Sequence, residues 1–186
     1  MSEALVTHPL LTCSEALTFE QSLLGDDAEA EWQAMNEAGV GVADSLLRDM
    51  RELRTIPHRP RFLFLVGKGH NGGDALVAAK RLLRSIPTAR ACLWPVQPWD
   101  ACKPNVQRAR DELLELAAKR VEELEPLSTL ASSENIEATF QNAVHGDGFH
   151  ACLDGLFGMQ FQPPVREPLS HLLGFLNDRA DLGLRA

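Results

Sequence analysis

Hydrophobic positions along this chain recur first at helical spacing and then in short continuous runs. From Ser14 to Leu24 the residues Leu17, Leu23 and Leu24 fall on one face behind Ser14, which predicts a helix with Ser14 as its cap. Asp26 and Asp27 open a second, longer pattern, in which Trp32, Met35, Val42, Leu46 and Met50 are spaced three, seven, four and four apart. Gly39 and Gly41 lie inside it, and each costs a helix roughly 1 kcal/mol against Ala, so the pattern implies either a break or a close backbone contact there. Pro57 and Pro60 end this helical region, which spans 14–56.

The pattern then changes. Arg61-Phe-Leu-Phe-Leu-Val66 is a continuous apolar run, the signature of a strand buried on both faces. Gly67-Lys-Gly-His-Asn-Gly-Gly-Asp74 follows as a loop, then Ala75 to Ser85 reads as a helix closed by Pro87, and Ala89 to Pro95 as a second strand. Lys103 to Arg120 is helical, with an apolar stripe of Val106, Leu113, Leu114 and Leu116; Val121 to Leu130 leaves room for a short third strand. Ser133 to Val144 is a further helix with Ser133 as cap, Phe149 to Asp154 a strand ended by the turn around Gly155 and Gly158, and Pro168 to Arg179 a last amphipathic helix. Strands alternating with helices imply βαβ units and right-handed crossovers. The fold class is therefore α/β: a Rossmann-like, three-layer, doubly wound, mostly parallel sheet over 61–186, with leading N-terminal helices, all in one domain, 1–186.

Composition agrees and narrows the function classes. A chain of 186 residues, 45% hydrophobic and 24% charged, can bury a core without disulfides or metals. The net charge of −8 removes the basic footprint expected for nucleic acid or an anionic membrane, and Lys80, Arg81 and Arg84 read as a solvated helix face. No apolar run approaches the ~20 residues of a bilayer span, and Met1 to His8 lacks the plan of a signal peptide, so a cytoplasmic protein is expected. Cys13, Cys92, Cys102 and Cys152 are scattered, with no metal-ligand spacing, and read as reduced, mostly buried thiols.

In open α/β sheets ligands bind beyond the carboxyl ends of the strands. Two segments occupy that edge here. In Gly67 to Asp74, four glycines permit positive φ and close backbone approach, and the following helix offers free N–H groups and a positive dipole end to a phosphate. The run is neither a dinucleotide fingerprint nor a Walker loop, because Gly73-Asp74 follows the G-x-G-x-x-G match and no Lys-Ser/Thr ends it. His70 reads as an exposed loop residue or a ligand contact, Asn71 as a left-handed turn residue or a ligand, and Asp74 as a helix cap or a site carboxylate. The second segment is Asp154-Gly-Leu-Phe-Gly158, where Asp154 either caps its turn or faces the same crevice. Together the two turns carry oxygen donors that suit a cation beside a phosphate.

The run Val66 to Leu82 resembles the G-x-G-N-N-G-G-D-G-x-x-x-A-R-x-L signature of the NAD(P)H-hydrate epimerase family, the YjeF N-terminal domain. Trp32-Gln-Ala-Met-Asn-Glu-Ala-Gly39 is similar to that family's L-M-E-x-A-G helix, and Leu153 to Arg166 to its D-A-L-F-G segment. The resemblance implies a nicotinamide-nucleotide repair isomerase. Such enzymes interconvert the R and S epimers of hydrated NADH or NADPH (NADHX, NADPHX) for a partner dehydratase, which is fused to the epimerase in some bifunctional proteins. It places His70, Asn71, Gly72, Gly73 and Asp74 on the substrate loop, and Gly158, Met159, Gln160, Phe161, Gln162, Pro163 and Pro164 on a second substrate turn. It makes Asn71 and Asp154 ligands of a potassium ion. It also implies a homodimer, with Trp32 and Met35 either at its interface or in the core. Lys103 and Arg166 read as phosphate contacts or as solvated residues.

The departures are His70 for the first Asn of the motif, Ala75 for a Gly, and Met159-Gln160 for a small residue and a Gly. No Asp-x-Pro-Ser-Gly segment, which in the family carries a catalytic carboxylate on the next strand, occurs among the 186 residues, so the domain is expected to lack its C-terminal strands and no catalytic residue is assigned. A non-catalytic nucleotide-binding or dimerisation scaffold, such as serves in an mRNA-decapping enhancer, is the alternative of a different class. An unrelated Rossmann-like nucleotide binder is the third.

Overall fold

The computed structural model describes residues 10–25, 27–53, 56–146, 148–158, 161–179 and the backbone of 184–185. Two helices lead, α1 (Cys13–Leu24) and α2 (Ala28–Leu53). Thr12, rather than Ser14, caps α1: Glu15 donates its N–H to the Thr12 hydroxyl and its carboxylate accepts from the Thr12 N–H at 2.8 Å, a reciprocal capping box. Asp27 opens α2 by accepting from the N–H groups of Glu29 and Ala30. Asp26 lies outside the described residues.

The α2 helix runs unbroken through both glycines. At Gly39 an added Cβ would stand 2.6 Å from the Asp74 carbonyl oxygen and from Val77 Cβ, whereas at Gly41 it would meet nothing within 4 Å. Close packing, not a break, accounts for Gly39. Trp32 and Met35 are 6% and 4% exposed and belong to the core of the chain, not to a surface available for an interface. Val42, expected in the apolar stripe, is exposed; Ala43 and Leu47 complete it instead.

Then follow β1 (Arg61–Val66), α3 (His70–Ser85), β2 (Arg90–Pro95), α4 (Pro104–Ala117), β3 (Val121–Glu123), α5 (Ser133–Ala143), β4 (Ala151–Gly155), α6 (Leu169–Asn177) and the two-residue β5 (Leu184–Arg185). Ser132, one residue before the expected Ser133, caps α5 by accepting from the Asn135 N–H. All strand pairs are parallel, in the order β3-β2-β1-β4-β5. Strand β1 is central, in register from Phe62 opposite Ala91 on one side and Ala151 on the other. Its continuous apolar sequence follows from that place, since both of its faces are covered.

One face carries Phe62, Phe64, Val66, Leu93 and Leu153 against α3, α4 and, beyond α3, α2. The other carries Leu63, Leu65, Trp94 and Cys152 against Ile136 and Phe140 of α5 and Leu172 and Leu176 of α6. Lys80 is not solvated as expected. Its side chain is 14% exposed and its ammonium lies 2.5 Å from Glu112, while Arg81 pairs with Asp44. Cys92, Cys102 and Cys152 are buried and Cys13 is exposed, all four as free thiols. No helix among the described residues is long and apolar enough to cross a membrane.

Candidate functional site

The chain proceeds from β1 to β2 and β3 on one side, then returns to β4 on the other, so the connections diverge between β1 and β4. At such a switch point a crevice opens beyond the strand ends. Here the loops after β1 and β4 meet. The Gly67 N–H donates to the Gly155 carbonyl at 3.1 Å, and the Asn71 amide Nδ2 donates to the Phe157 carbonyl at 2.5 Å.

The glycines are there for proximity, not for unusual dihedral angles. Among the described residues positive φ occurs only at Gly25, Gly146 and Gly148, so the expected left-handed conformations of the loop, including that of Asn71, are not found. A Cβ on Gly72 would lie 1.9 Å from the Gly67 carbonyl oxygen, one on Gly73 2.3 Å from Met35 Sδ, and one on Gly155 2.6 Å from the Asn71 carbonyl oxygen. Close approach lets the helix begin at His70, five residues earlier than the sequence pattern predicts. Gly69 is its N-cap and supplies no side-chain acceptor. The N–H groups of His70 and Asn71 therefore head α3 without intrahelical partners, which together with the dipole makes an anion site.

That helix start opens into a cleft of about 790 Å³ walled by α1, α2, α3 and the loops after β1, β2 and β4; among its lining residues are Glu20, Met35, His70, Asn71, Asp74 and Gly158. His70 Nε2 lies 2.6 Å from Glu31 Oε1 and 2.8 Å from Lys103 Nζ. One ring nitrogen either donates to the carboxylate or accepts from the ammonium, so an incoming anion that takes Lys103 leaves His70 to Glu31. Glu31 also accepts from Asn105 Nδ2 at 2.7 Å. Lys103 is fixed from behind as well, its N–H donating to the Lys68 carbonyl at 3.0 Å. Lys103 thus lines the cleft while remaining exposed to solvent.

Asp74, one candidate role of which was to cap the helix, instead sits in its second turn. Its half-buried carboxyl faces the cleft, where burial and the nearby Glu20 carboxylate raise its pKa to about 6. Asp154 is exposed and closes its own turn, with Oδ1 accepting from the Leu156 N–H at 2.8 Å. Because the Asn71 amide nitrogen is spent on Phe157, its Oδ1 is left facing Gly158. Two oxygen-bearing side chains on adjoining turns suit a hard cation in kind. Among the described residues no group of three or more His, Cys, Asp or Glu gathers as a metal site.

The second substrate turn is divided. Gly158 lines the large cleft, but Phe161, Gln162, Pro163 and Pro164 line a separate cavity of about 340 Å³ with Gln97 and Arg166. Met159 and Gln160 lie outside the described residues. Glu20, Glu31 and Cys102 were not singled out by sequence; they come from α1, α2 and the loop after β2, and no local motif announces them.

The chain is similar to known proteins. Over 94% of its length the chain is 28% identical to an NAD(P)H-hydrate epimerase of Candida albicans (strain SC5314), covering 66% of that protein. Over 90% it is 27% identical to one of Yarrowia lipolytica, covering 59%. The chain thus spans slightly less than two thirds of the length of these curated relatives. A crystal structure of the yeast protein ynu0 (YNL200c) superposes with a TM-score of 0.69 at 19% identity, over 96% of this chain and 68% of the other, and shares the fold. The model of the YjeF-related protein N-terminus matches residues 31–183, from the α2 wall of the cleft to the edge of β5, and the chain belongs to that family.

Proposed function

We propose that the chain acts as an NAD(P)H-hydrate epimerase, interconverting the R and S epimers of hydrated NADH or NADPH. The observation that carries this reading is the uncapped start of α3, held by glycine contacts at the sheet's switch point and opening on a cleft large enough for a mononucleotide half. Phosphate would sit on the His70 and Asn71 N–H groups and near Lys103. His70, Asn71, Gly72, Gly73 and Asp74 form the substrate loop of this reading, and Gly158 through Pro164 its second turn. That its relatives are NAD(P)H-hydrate epimerases supports the substrate class.

Chemistry at the nicotinamide ring asks for little. The carbon beside the ring nitrogen must lose its hydroxyl as water and regain it on the other face, which needs a proton donor and acceptor and a shielded site. The cation of this reading is potassium, held by Asn71 Oδ1 and the Asp154 carboxylate; when bound it orders the two turns through their oxygen atoms. A homodimer, a dehydratase that consumes one epimer (as a separate partner or as the second part of a bifunctional protein), and a cytoplasmic setting complete the proposal; four free thiols accord with a reducing compartment.

The test is direct. Purified R-NADHX is incubated with the chain in potassium and in tetramethylammonium buffer, and S-NADHX is followed by chiral chromatography against the uncatalysed rate. Catalysis that depends on potassium supports the whole reading. Catalysis in both buffers keeps the epimerase and removes the cation, and no acceleration in either removes the epimerase as an activity of these 186 residues alone.

The scaffold alternative draws on one observation. On α1 the side chains of Phe19 and Leu23 are 56% and 65% exposed and none is buried, an apolar surface suited to a second chain. Light scattering that finds a dimer without epimerase activity would favour it.

A further inference from the structure

We propose that Lys103 is the residue that reads the substrate's phosphate, and that Asn105, Glu31 and His70 form a hydrogen-bonded chain that positions its ammonium and releases it when a nucleotide phosphate arrives. The inference rests on the epimerase reading and deepens it. The group recognised is the phosphate of the nicotinamide mononucleotide half, so a hydrated nucleoside that lacks it is a poor substrate.

The backbone of Lys103 is fixed by its sequence. Pro104 follows and holds Lys103 extended (φ −58°, ψ 151°) at the cap of α4. Its N–H donates to the Lys68 carbonyl at 3.0 Å, and its own carbonyl accepts from the Val106 and Gln107 N–H groups at 3.0 and 3.1 Å. Only the exposed side chain can choose a partner, and its Nζ lies 2.8 Å from His70 Nε2. Behind His70 the chain continues inward. The same Nε2 is 2.6 Å from Glu31 Oε1, and Glu31 Oε2 accepts from Asn105 Nδ2 at 2.7 Å. Asn105, 9% exposed, is the one buried polar residue among those described. The first turns of α2, α3 and α4 are thus tied together at one corner of the cleft.

One nitrogen cannot serve both of its neighbours. As a donor, Nε2 satisfies Glu31 and opposes the Lys103 protons; as an acceptor, it satisfies Lys103 and turns a lone pair on the carboxylate. An anion that takes the ammonium ends this conflict, because Nε2–H then donates to Glu31. An uncharged hydroxyl would not draw the ammonium off, whereas a phosphate oxygen forms the stronger, charge-assisted bond. His70 has a second effect. It stands between Lys103 and Glu31, which would otherwise close on each other as an ion pair and hold the ammonium back from an anion. Lys68 lines the same cleft, but no hydrogen bond holds its side chain among the described residues.

Nicotinamide mononucleotide (NMN) and nicotinamide riboside differ only in the phosphate. Both are titrated by calorimetry, at one fixed pH and alongside thermal melts, into the wild-type chain and its variants. Wild type should bind NMN at least about tenfold more tightly than the riboside. Lys103→Met should remove most of that preference and leave riboside affinity unchanged, and Lys68→Met should remove less. His70→Asn, too short to part Lys103 from Glu31, should weaken NMN severalfold. Adding Glu31→Gln to it should restore the affinity, a rescue that a merely structural role would not give. On addition of NMN, but not of the riboside, the imidazole ¹⁵N signal of His70 Nε2 should move from the lone-pair to the N–H position. Equal binding of the two ligands, equal losses in the two lysine variants, a double variant no better than His70→Asn, an unmoved Nε2 signal, or tighter binding of AMP than of NMN overturns the proposal. The epimerase reading is judged apart, by R-to-S rates on NADHX. A Lys103-dependent NMN preference without any rate keeps the phosphate site and removes the epimerase as an activity of this chain alone. A rate whose kcat/KM survives Lys103→Met overturns the proposal and keeps the epimerase.

Discussion

The two glycines of α2 make a matched test of why this fold tolerates them. Gly39→Ala would place a methyl group 2.6 Å from the Asp74 carbonyl oxygen and from Val77 Cβ, and 2.8 Å from Val77 Cγ1. The carbonyl belongs to a helix and cannot rotate away, so α2 and α3 must separate. Overpacking of this kind costs ~1–3 kcal/mol, and a contact with rigid backbone belongs at the upper end. Ala returns ~0.5–1 kcal/mol of helix propensity, leaving a net loss of about 2 kcal/mol. Gly41→Ala meets nothing within 4 Å and keeps only the gain. For a domain of this size the first change should lower Tm by ~4–8 °C and the second raise it by ~2–3 °C. Urea titrations at constant m value would report the same opposite signs as shifts of midpoint. Since the obstructing carbonyl is that of Asp74 itself, Gly39→Ala should also disturb the cleft. If both variants shift stability in the same direction, close approach is not the reason for Gly39.

Three further outcomes follow from the same geometry. Gly72→Ala sets a Cβ 1.9 Å from the Gly67 carbonyl, backbone against backbone, and in the same urea series should cost more than Gly39→Ala; an equal or smaller cost would show that the start of α3 is free to rearrange. The pKa of Asp74 is raised from 3.8 to about 6 on folding, so its stabilising protonation is complete at low pH and is lost as pH rises through that window. Asp74→Asn should therefore raise stability at pH 8 by ~1–2 kcal/mol, solvent screening included, and change it little at pH 3.5; a pH-independent difference between the two chains would refute this. With Ellman's reagent, one thiol of the four (the exposed Cys13) should react in the folded chain and three more on unfolding, because burial also pushes the Cys92 thiol up to about 12; reaction of two or more in native buffer would contradict the packing of Cys92, Cys102 and Cys152.

Strands β1, β2 and β4 were legible because nearly all of their residues are buried. Arg61 to Val66 is hydrophobic throughout since β1 is paired on both sides and covered on both faces, and no other context suits such a run so near two prolines. Apart from the start of α3, helix ends were legible only to within a few residues. Ser14 and Ser133 are good caps by type, but a cap is decided by which hydroxyl meets the N–H three residues on, and that is Thr12 and Ser132. The long α2 was recognisable from its apolar spacing, while the reason for its glycines lay in α3, a separate element.

The start of α3 is where sequence reasoning went furthest astray, and the consequence is chemical. Gly72 and Gly73 have poor intrinsic helix propensity, so a pattern read locally begins the helix at Ala75. Tertiary contact overrides propensity here: the Gly67 carbonyl and Met35 occupy the space that side chains would take, and the helix begins at His70. A carboxylate at the first position of a helix would be stabilised as an anion by free N–H groups and the dipole. Four residues further along the axis that benefit has faded, and Asp74 meets α1 and Glu20 instead. The residue type and its number in the chain are unchanged, but its role is reversed. A side chain that one reading makes a permanently ionised cap is held by the fold as an acid that keeps its proton to about pH 6.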